Sequence, residues 1–232
     1  MVPRGTSVTL VEPRYPVNLG HVARLVSNFG VQKLYLVRPK VDMSTAAVYA
    51  SHASNILDTA TLATFKKVRE ENELLVATTA IKASKRSNVI RAGVGPEELR
   101  PLLSSSRTSS IVFGRDSTGL TNEEIRACDV TVTIDTAKDY RSLNIGHAVA
   151  ILLYAASRPG SVRMHAQSRV AREVFAKTLS ELGVAARVPE HHAGNLFEVA
   201  KRIAAGSDLT DRQLNLMSGI FTKARERIGI DS

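Results

Sequence analysis

The stretch YRSLNIGHAVAILLY, residues 140–154, joins polar side chains to an apolar run. Tyr140, Arg141, Ser142 and Asn144 precede residues whose apolar character predicts a buried helix. Polar groups at the start of such a helix can cap its free amide groups, or they can form a binding site. The sequence of this segment alone leaves both interpretations open.

A second polar segment, FGRDSTGLTNEE at residues 113–124, follows a predicted strand and contains Gly114 and Gly119. Glycines at the carboxyl end of a strand let a ligand approach the backbone closely. They are equally compatible with a tight turn that needs positive φ angles. The segment lacks the spacing of a phosphate-binding loop and does not fit the dinucleotide fingerprint.

Two further segments hold candidate polar residues. NLGHVAR places Asn18 at a predicted helix start and Arg24 about two turns later, where spacing alone favours a solvated arginine. TTAIKASKR, residues 78–86, follows a predicted strand with Lys82, Lys85 and Arg86. This loop is either a solvated basic loop or one that follows a phosphate backbone beside a ligand pocket.

Strand and helix signals alternate over the first two thirds of the chain, which indicates an α/β fold with a mainly parallel sheet. We expect strands at 7–13, 33–37, 73–80, 110–114 and 129–134, and a helical stretch at 59–71. Asn18 is expected to cap the first helix, which ends at Gly30. After SRPGS at 157–161 only helical signals follow. The predicted domains are residues 1–157 and a small all-helical extension, 158–232, with a linker at 157–164.

Composition narrows the class of partner. The 31 Lys and Arg residues exceed the 22 Asp and Glu residues, which gives a net charge of +9. This balance favours a nucleic acid somewhat over a charge that only maintains solubility. The single cysteine, Cys128, excludes an internal disulfide, and no secretory signal or membrane-spanning stretch is evident, so we expect a cytoplasmic protein. The scattered histidines, with only His191 and His192 adjacent, favour no metal site.

Taken in order, residues 10–39, 112–124 and 140–154 closely resemble the three motifs of the SPOUT RNA ribose methyltransferases. In particular, they resemble the bacterial and archaeal enzymes that methylate the ribose 2′-hydroxyl of nucleotide 32 in the tRNA anticodon loop. The resemblance covers about residues 6–155. Two alternatives remain: methylation of another RNA, or an RNA-binding protein that has lost catalysis.

The resemblance implies an α/β fold whose C-terminal part threads a loop to form a deep trefoil knot. It implies a homodimer that binds S-adenosylmethionine and tRNA without a metal. The implied cofactor residues are Thr78, Thr79, Ala80, Gly114, Ile134, Arg141, Ser142 and Leu143. The implied catalytic residues are Asn18, Arg24, Ser142 and Asn144. Loop, motif and extension cations are expected to bind RNA: Lys82, Lys85, Arg86, Arg115, Arg163, Arg169, Arg172, Lys201 and Arg202.

Two positions depart from the family pattern. Asp116 stands where the family usually has glutamate, which shortens the reach of the carboxylate, and Ile81 stands where many bacterial relatives have arginine. Arg24 matches the residue assigned as base, yet a guanidinium remains protonated in proteins. We therefore expect Arg24 to hold a phosphate and to lower the pKa of the hydroxyl, while a phosphate or water takes the proton.

Overall fold

The computed structural model describes residues 1–80, 93–137, 139–158 and 167–230. Six parallel strands form one sheet in the order β3-β2-β1-β5-β4-β6. This confirms the predicted α/β class with a parallel sheet, while the knot stays a prediction. The strands are β1 (Thr6–Val11), β2 (Lys33–Val37), β3 (Thr61–Ala63), β4 (Leu74–Thr78), β5 (Ser109–Phe113) and β6 (Val130–Val132).

Helices cover both faces of the sheet, so alternate strand residues pack on opposite sides. Val76 and Ile111 lie in the larger core, under α1, α5 and α7, whereas Leu75 and Val112 face α4 and α6. The helices of this domain are α1 (Pro16–Asn28), α2 (Met43–Ala50), α3 (Ser54–Asp58), α4 (Phe65–Glu71), α5 (Leu99–Ser104), α6 (Asn122–Arg126) and α7 (Ile145–Ser157), with short 3₁₀ turns at Ser51–Ala53 and Pro96–Glu98.

Two expectations about local structure are corrected, and the start of the helix in residues 140–154 is now defined. The stretch 59–71 is not one helix: β3 forms first and pairs with β2, and α4 begins only after the Thr64 cap. Asn18 does not cap α1, because that helix begins at Pro16, whose fixed φ suits a first helical turn. The helix of the 140–154 segment begins at Ile145, and Asn144 is its cap.

The C-terminal extension contains α8 (Arg169–Ala185), α9 (Glu190–Gly206) and α10 (Asp211–Ile230). Phe175, Ala200 and Leu214 form its own small core, and Ala205 packs into the core of the first domain. The helices are therefore docked on the α/β domain, while the predicted boundary at 157–164 stays a prediction. Within the described ranges, no helix has both the length and the apolar character needed to cross a membrane.

Candidate active site

A cavity of about 340 Å³ opens at the carboxyl edge of the sheet. The chain ends of β4, β5 and β6 and the segment before α7 supply its walls. The carboxyl ends of parallel strands meet at one edge, where α/β proteins bind ligands. The structure brings together at this cavity all eight residues predicted to hold the cofactor: Thr78, Thr79, Ala80, Gly114, Ile134, Arg141, Ser142 and Leu143.

The two glycines of the second motif build a closed turn in the wall of this cavity. The backbones of Arg115 and Gly119 are bonded in both directions, at 3.2 and 2.9 Å. A Cβ atom at Gly114 would lie 2.1 Å from the carbonyl carbon of Gly119, so the turn excludes a side chain there. Gly119 has φ +68°, which favours glycine. The glycines therefore form both a tight turn and part of a candidate site.

A chain of hydrogen bonds joins the three motifs beside the cavity. The Asn144 Nδ2 group donates to Asn18 Oδ1 at 3.0 Å, and Asn18 Nδ2 donates to Asp116 Oδ1 at 2.5 Å. Asn144 Oδ1 also accepts the Gly146 amide at 2.8 Å, so one side chain caps α7 and holds Asn18. The shorter carboxylate at position 116 thus reaches its asparagine.

The sequence interpretation left open whether the polar residues before α7 cap it, and the structure gives that role to Asn144. Asparagine is among the most favoured residues at a helix start, and Asn144 directly precedes the apolar run. That signal was available in the sequence. Ser142 and Arg141 are exposed and line the cavity, where a ligand from solvent can reach them.

A second cavity, of about 260 Å³, lies between α1 and α7. Arg24 lines this cavity and not the first one, and its side chain is exposed. Among the residues that the structure describes, Arg24 has no hydrogen-bond or ion-pair partner. Helix α7 separates the two cavities, with Ile145 and Ala148 on one side and Gly146 and His147 on the other.

Two carboxylates hold the Arg115 guanidinium in place. Its guanidinium contacts Glu12 at 2.7 Å and Glu124 at 2.9 Å, and Lys40 contacts Glu12 at 2.7 Å. The hydrogen bond from Arg115, followed by that from Lys40, lowers the pKa of Glu12 to about 2. The bonds from Glu124 and Glu12 in turn raise the pKa of Arg115. The predicted RNA-binding role of Arg115 therefore concerns a cation that is already paired.

Three cations of the extension do not lie where the sequence prediction placed them. Arg172 is only 1% exposed and donates to the Glu73 carbonyl at 2.5 Å. Lys201 is 7% exposed and donates to the Arg126 carbonyl, and Arg202 donates to Thr131 Oγ1 at 2.7 Å.

The structure therefore places Arg172, Lys201 and Arg202, which were expected to bind RNA, in contact with the first domain. An RNA role for them stays a prediction. The physical reason is that backbone carbonyls at element ends need donors, and cations supply them. Arg169 is partly exposed, pairs with Glu173 and donates to the Arg69 carbonyl. The other predicted RNA-binding cations lie outside the described residues: Lys82, Lys85, Arg86 and Arg163.

The part of the chain that the structure describes supports neither a metal site nor a cysteine nucleophile. No group of three or more His, Cys, Asp or Glu residues there could hold a metal ion. The absence of a metal nevertheless stays a prediction. Burial raises the pKa of the Cys128 thiol to about 12, so a thiolate nucleophile is disfavoured at neutral pH.

The fold and the two cavities define an α/β protein that can hold one ligand beyond the strand ends and present polar groups to a second. Residues 5–154 match the SpoU rRNA Methylase family, and the chain belongs to that family. It is therefore a methyltransferase.

Two curated relatives and one solved structure extend this comparison along the chain. The tRNA (cytidine-2′-O-)-methyltransferase TrmJ of Methanocaldococcus jannaschii is 34% identical over 225 residues, which cover 93% of this chain and 97% of the relative. The tRNA (cytidine/uridine-2′-O-)-methyltransferase TrmJ of Pectobacterium atrosepticum is 28% identical, with 94% and 96% covered. The crystal structure of TrmJ from Z. mobilis ZM4 has the same fold, with a TM-score of 0.66, 20% identity and 96% and 99% covered.

Proposed function

We propose that this chain transfers the methyl group of S-adenosylmethionine to a ribose 2′-hydroxyl of tRNA, at nucleotide 32 of the anticodon loop. One observation carries the proposal: Asn144, Asn18 and Asp116, from three distant segments, form a hydrogen-bonded chain beside the cavity at the strand ends. The tRNA substrate is supported by the relatives that match nearly the whole chain. Nucleotide 32 rests on the motif resemblance.

The residues of the first cavity fit S-adenosylmethionine. Its volume of about 340 Å³ falls within the roughly 300–1,000 Å³ of small-molecule sites. Leu120, Val132 and Leu152 offer apolar walls suited to an adenine ring. Ser142 and Arg141 add exposed polar groups at the rim, suited to the ribose and to the amino-acid carboxylate. When bound, S-adenosylmethionine supplies an electrophilic methyl group on a sulfonium cation.

The chain contributes mainly alignment. Ser142 lies in the first cavity, and Asn144 lies at the second, so the segment between them can orient a ribose that meets the methyl group. Well-oriented reactants gain roughly 7–11 kcal/mol over free ones. Arg24 holds the adjacent phosphate, because its guanidinium stays protonated and has no partner among the described residues. The sulfonium loses its positive charge in this transfer, and that charge leaves with the hydroxyl proton, so an oxyanion site is not needed.

The proposal includes a cytoplasmic homodimer. Val17 on α1 and Ile151 and Tyr154 on α7 are exposed apolar residues, and both helices also line the second cavity. Exposed apolar side chains on two helices that pack together support an interface at this face. The mass of the protein in solution, measured by sedimentation, tests this part: a monomer at micromolar concentration would contradict it.

The test of the function is mass spectrometry of the nucleosides and anticodon-loop fragments after incubation with S-adenosylmethionine and tRNA. We expect one methyl group on the ribose of nucleotide 32. A matched tRNA with 2′-deoxyribose at nucleotide 32 serves as the control and should gain none. Methylation only of ribosomal RNA, or of a base, would contradict the proposal. Comparing cytidine with uridine at nucleotide 32 decides between the two specificities named for the relatives.

A calorimetric titration separates an active enzyme from an RNA-binding protein without catalysis. S-adenosylmethionine should bind one site per chain, and excess chelator should leave methyl transfer unchanged. Loss of transfer in chelator, restored by zinc or magnesium while the tRNA remains folded, would overturn the metal-free part of the proposal.

A further inference from the structure

The cavity between α1 and α7 contains two histidines that no role above uses. His21 and His147 line it together with Arg24 and Asn144. The ribose hydroxyl must lose its proton during methyl transfer, and Arg24 is a poor acceptor because a guanidinium stays protonated. Imidazole is the side chain that most often accepts such a proton in enzymes.

Both imidazoles occupy equivalent places beside the bonded asparagine pair. His21 lies three residues after Asn18 on α1, and His147 lies three residues after Asn144 on α7. Helical side chains three residues apart share a face and lean toward the helix N-terminus. Each histidine therefore leans toward the Asn18–Asn144 hydrogen bond of 3.0 Å.

Helices α1 and α7 approach each other at this point. A Cβ atom placed at Gly146 would lie 3.6 Å from the His21 Cβ, an ordinary van der Waals separation, so Gly146 marks how near the two helices are. The first turn of α7 contributes Gly146 and His147 to the wall of this cavity, next to Asn144. A ribose placed at Ser142 and Asn144 would have this cavity on one side and the cofactor cavity on the other.

The surroundings leave the imidazoles free to accept a proton. Among the described residues, neither histidine has a hydrogen-bond or ion-pair partner, and no carboxylate lines the cavity. Arg24 and the other histidine are the charged or titratable groups that face His147 from α1. Other charged groups lie on elements that pack against the rest of α7. Arg100 donates to the Ala156 carbonyl near the C-terminus of α7, and Glu98 accepts the Gly95 amide.

We propose that His147 is a catalytic residue that accepts the proton of the ribose 2′-hydroxyl. As the O–H bond breaks, the proton goes to an imidazole nitrogen and the oxygen forms a bond to the methyl carbon. The carbon–sulfur bond breaks, and its electron pair neutralises the sulfonium. The products are the ribose methyl ether, S-adenosylhomocysteine and an imidazolium that later releases its proton to water. This inference rests on the proposed function.

His147 is favoured over His21 because of the helix that carries it. Helix α7 lines both cavities, and the segment that leads into it carries Ser142 and Asn144. A group on α7 is therefore fixed relative to both the methyl group and the ribose. His21 belongs to α1, which lines only the second cavity within the described ranges.

The test compares His147→Ala, His21→Ala and the full-length wild type in single-turnover methylation across pH. We expect His147→Ala to lower the rate by at least about 10²-fold. It should also lose the rise in rate with pH, keep tRNA and cofactor affinity, and regain rate when imidazole is added. His52→Ala, at an exposed histidine outside both cavities, is the matched control and should behave as the wild type.

The outcomes separate the two proposals. An active wild type with His147→Ala within about threefold of its rate and with the same pH profile would overturn the role of His147 alone. Loss of the pH dependence in His21→Ala, with His147→Ala unaffected, would do the same. A slow variant that imidazole does not rescue, and whose pH profile is unchanged, would show a structural role instead. A wild type that methylates no RNA would overturn the proposed function and this inference with it.

Discussion

Two regions of the molecule use arginine in opposite ways. The first is the cavity between α1 and α7, here called the mouth, and the second is the contact between the α/β domain and the extension, here called the seam. At the mouth, Arg24 is exposed and faces a cavity. At the seam, Arg172 is 1% exposed and its guanidinium donates to backbone carbonyls. A net charge read from sequence therefore counts both kinds of cation, and only the first kind is available to a phosphate.

The carbonyls at the seam explain why cations lie there. Helix α6 has only five residues, and Lys201 and Arg202 donate to the carbonyls of Arg126 and Ile125 near its C-terminus. Cations are favourable at that end of a helix, where carbonyls lack intrahelical partners. The extension thus uses long basic side chains to attach to the first domain. Its expected RNA surface is reduced to the cations that remain exposed.

The largest expected effect of a substitution is a loss of stability at the seam, and it tests the difference between buried and exposed arginines. Arg172→Ala should lower the free energy of unfolding by about 2–5 kcal/mol, the range for truncating a large buried side chain. Two carbonyls would also lose a donor. The measurement is urea unfolding, combined with tRNA affinity at several salt concentrations.

The salt dependence of tRNA binding should not change in Arg172→Ala. Arg212→Ala, at an exposed arginine of the same extension, is the control for stability and should unfold as the wild type. Unchanged stability with a salt slope reduced by roughly 0.7–0.9, the contribution of one phosphate contact, would restore the RNA-surface prediction for Arg172.

Substitutions of Arg24 at the mouth should lower the rate of methyl transfer and leave the free energy of unfolding unchanged. Arg24→Ala is expected to lower turnover by at least about 10²-fold, because an orienting or proton-transfer group contributes that much. Cofactor affinity should stay nearly intact, since Arg24 lies outside the first cavity. Arg24→Lys should recover little, because a point charge does not replace a planar fork.

The control for this prediction is Arg4→Ala, at an exposed arginine that lines neither cavity. The measurement is initial-rate kinetics together with calorimetric titration of the cofactor. Near-normal turnover in Arg24→Ala or Arg24→Lys would mean that the family role was assigned to the wrong residue.

Sequence reasoning was more successful for the sheet than for the contacts of single side chains. Five strands were predicted from apolar runs, but β3 was missed because three residues at a sheet edge carry too little pattern. Its strand state depends on pairing with β2, a tertiary effect. The residues expected to hold the cofactor came from the motif resemblance, and spacing alone did not indicate them.

The side chains that sequence reasoning misplaced share a physical cause. Whether Arg172 points to solvent or to a carbonyl depends on how the extension docks, which no local pattern encodes. The reach of Asp116 depended on the distance to Asn18, from a segment 98 residues away. Long-range geometry of this kind becomes visible only in the folded chain.

A smaller effect is expected from the carboxylate of the hydrogen-bonded chain. Asp116→Ala removes the acceptor of Asn18 Nδ2, and a bond to a charged group contributes about 1.5–3 kcal/mol. Because Asn144 still caps α7, only part of the positioning is lost, and we expect turnover to fall about tenfold. Asp116→Asn keeps an oxygen acceptor and should recover most of the rate. Equal losses in the two variants, measured by single-turnover methylation, would contradict the positioning role.

The smallest expected effect is on how stability depends on pH. It distinguishes cations paired with carboxylates from cations bonded to backbone carbonyls. The pKa of Glu12 is lowered to about 2, so the ionised form stabilises the fold at neutral pH. That contribution is fully present above the ordinary glutamate pKa of about 4.5 and is lost as pH falls through about 2. The urea midpoints of wild type and Glu12→Gln should therefore differ at pH 7 and converge toward pH 2.

The hydrogen-bond acceptors of Arg172 are carbonyls, which do not titrate, so the loss caused by Arg172→Ala is expected to converge less toward low pH than the loss caused by Glu12→Gln. The nearby charges of Asp129, Glu73 and Asp211 account for the part that does change. Glu226→Gln, at an exposed residue of α10, provides the control for removing one carboxylate and should follow the wild type at every pH. Parallel curves for Glu12→Gln and wild type would show that Arg115 does not depend on Glu12. In that case Glu124 alone would hold Arg115, through its contact of 2.9 Å, and the stabilising role of Glu12 would fail.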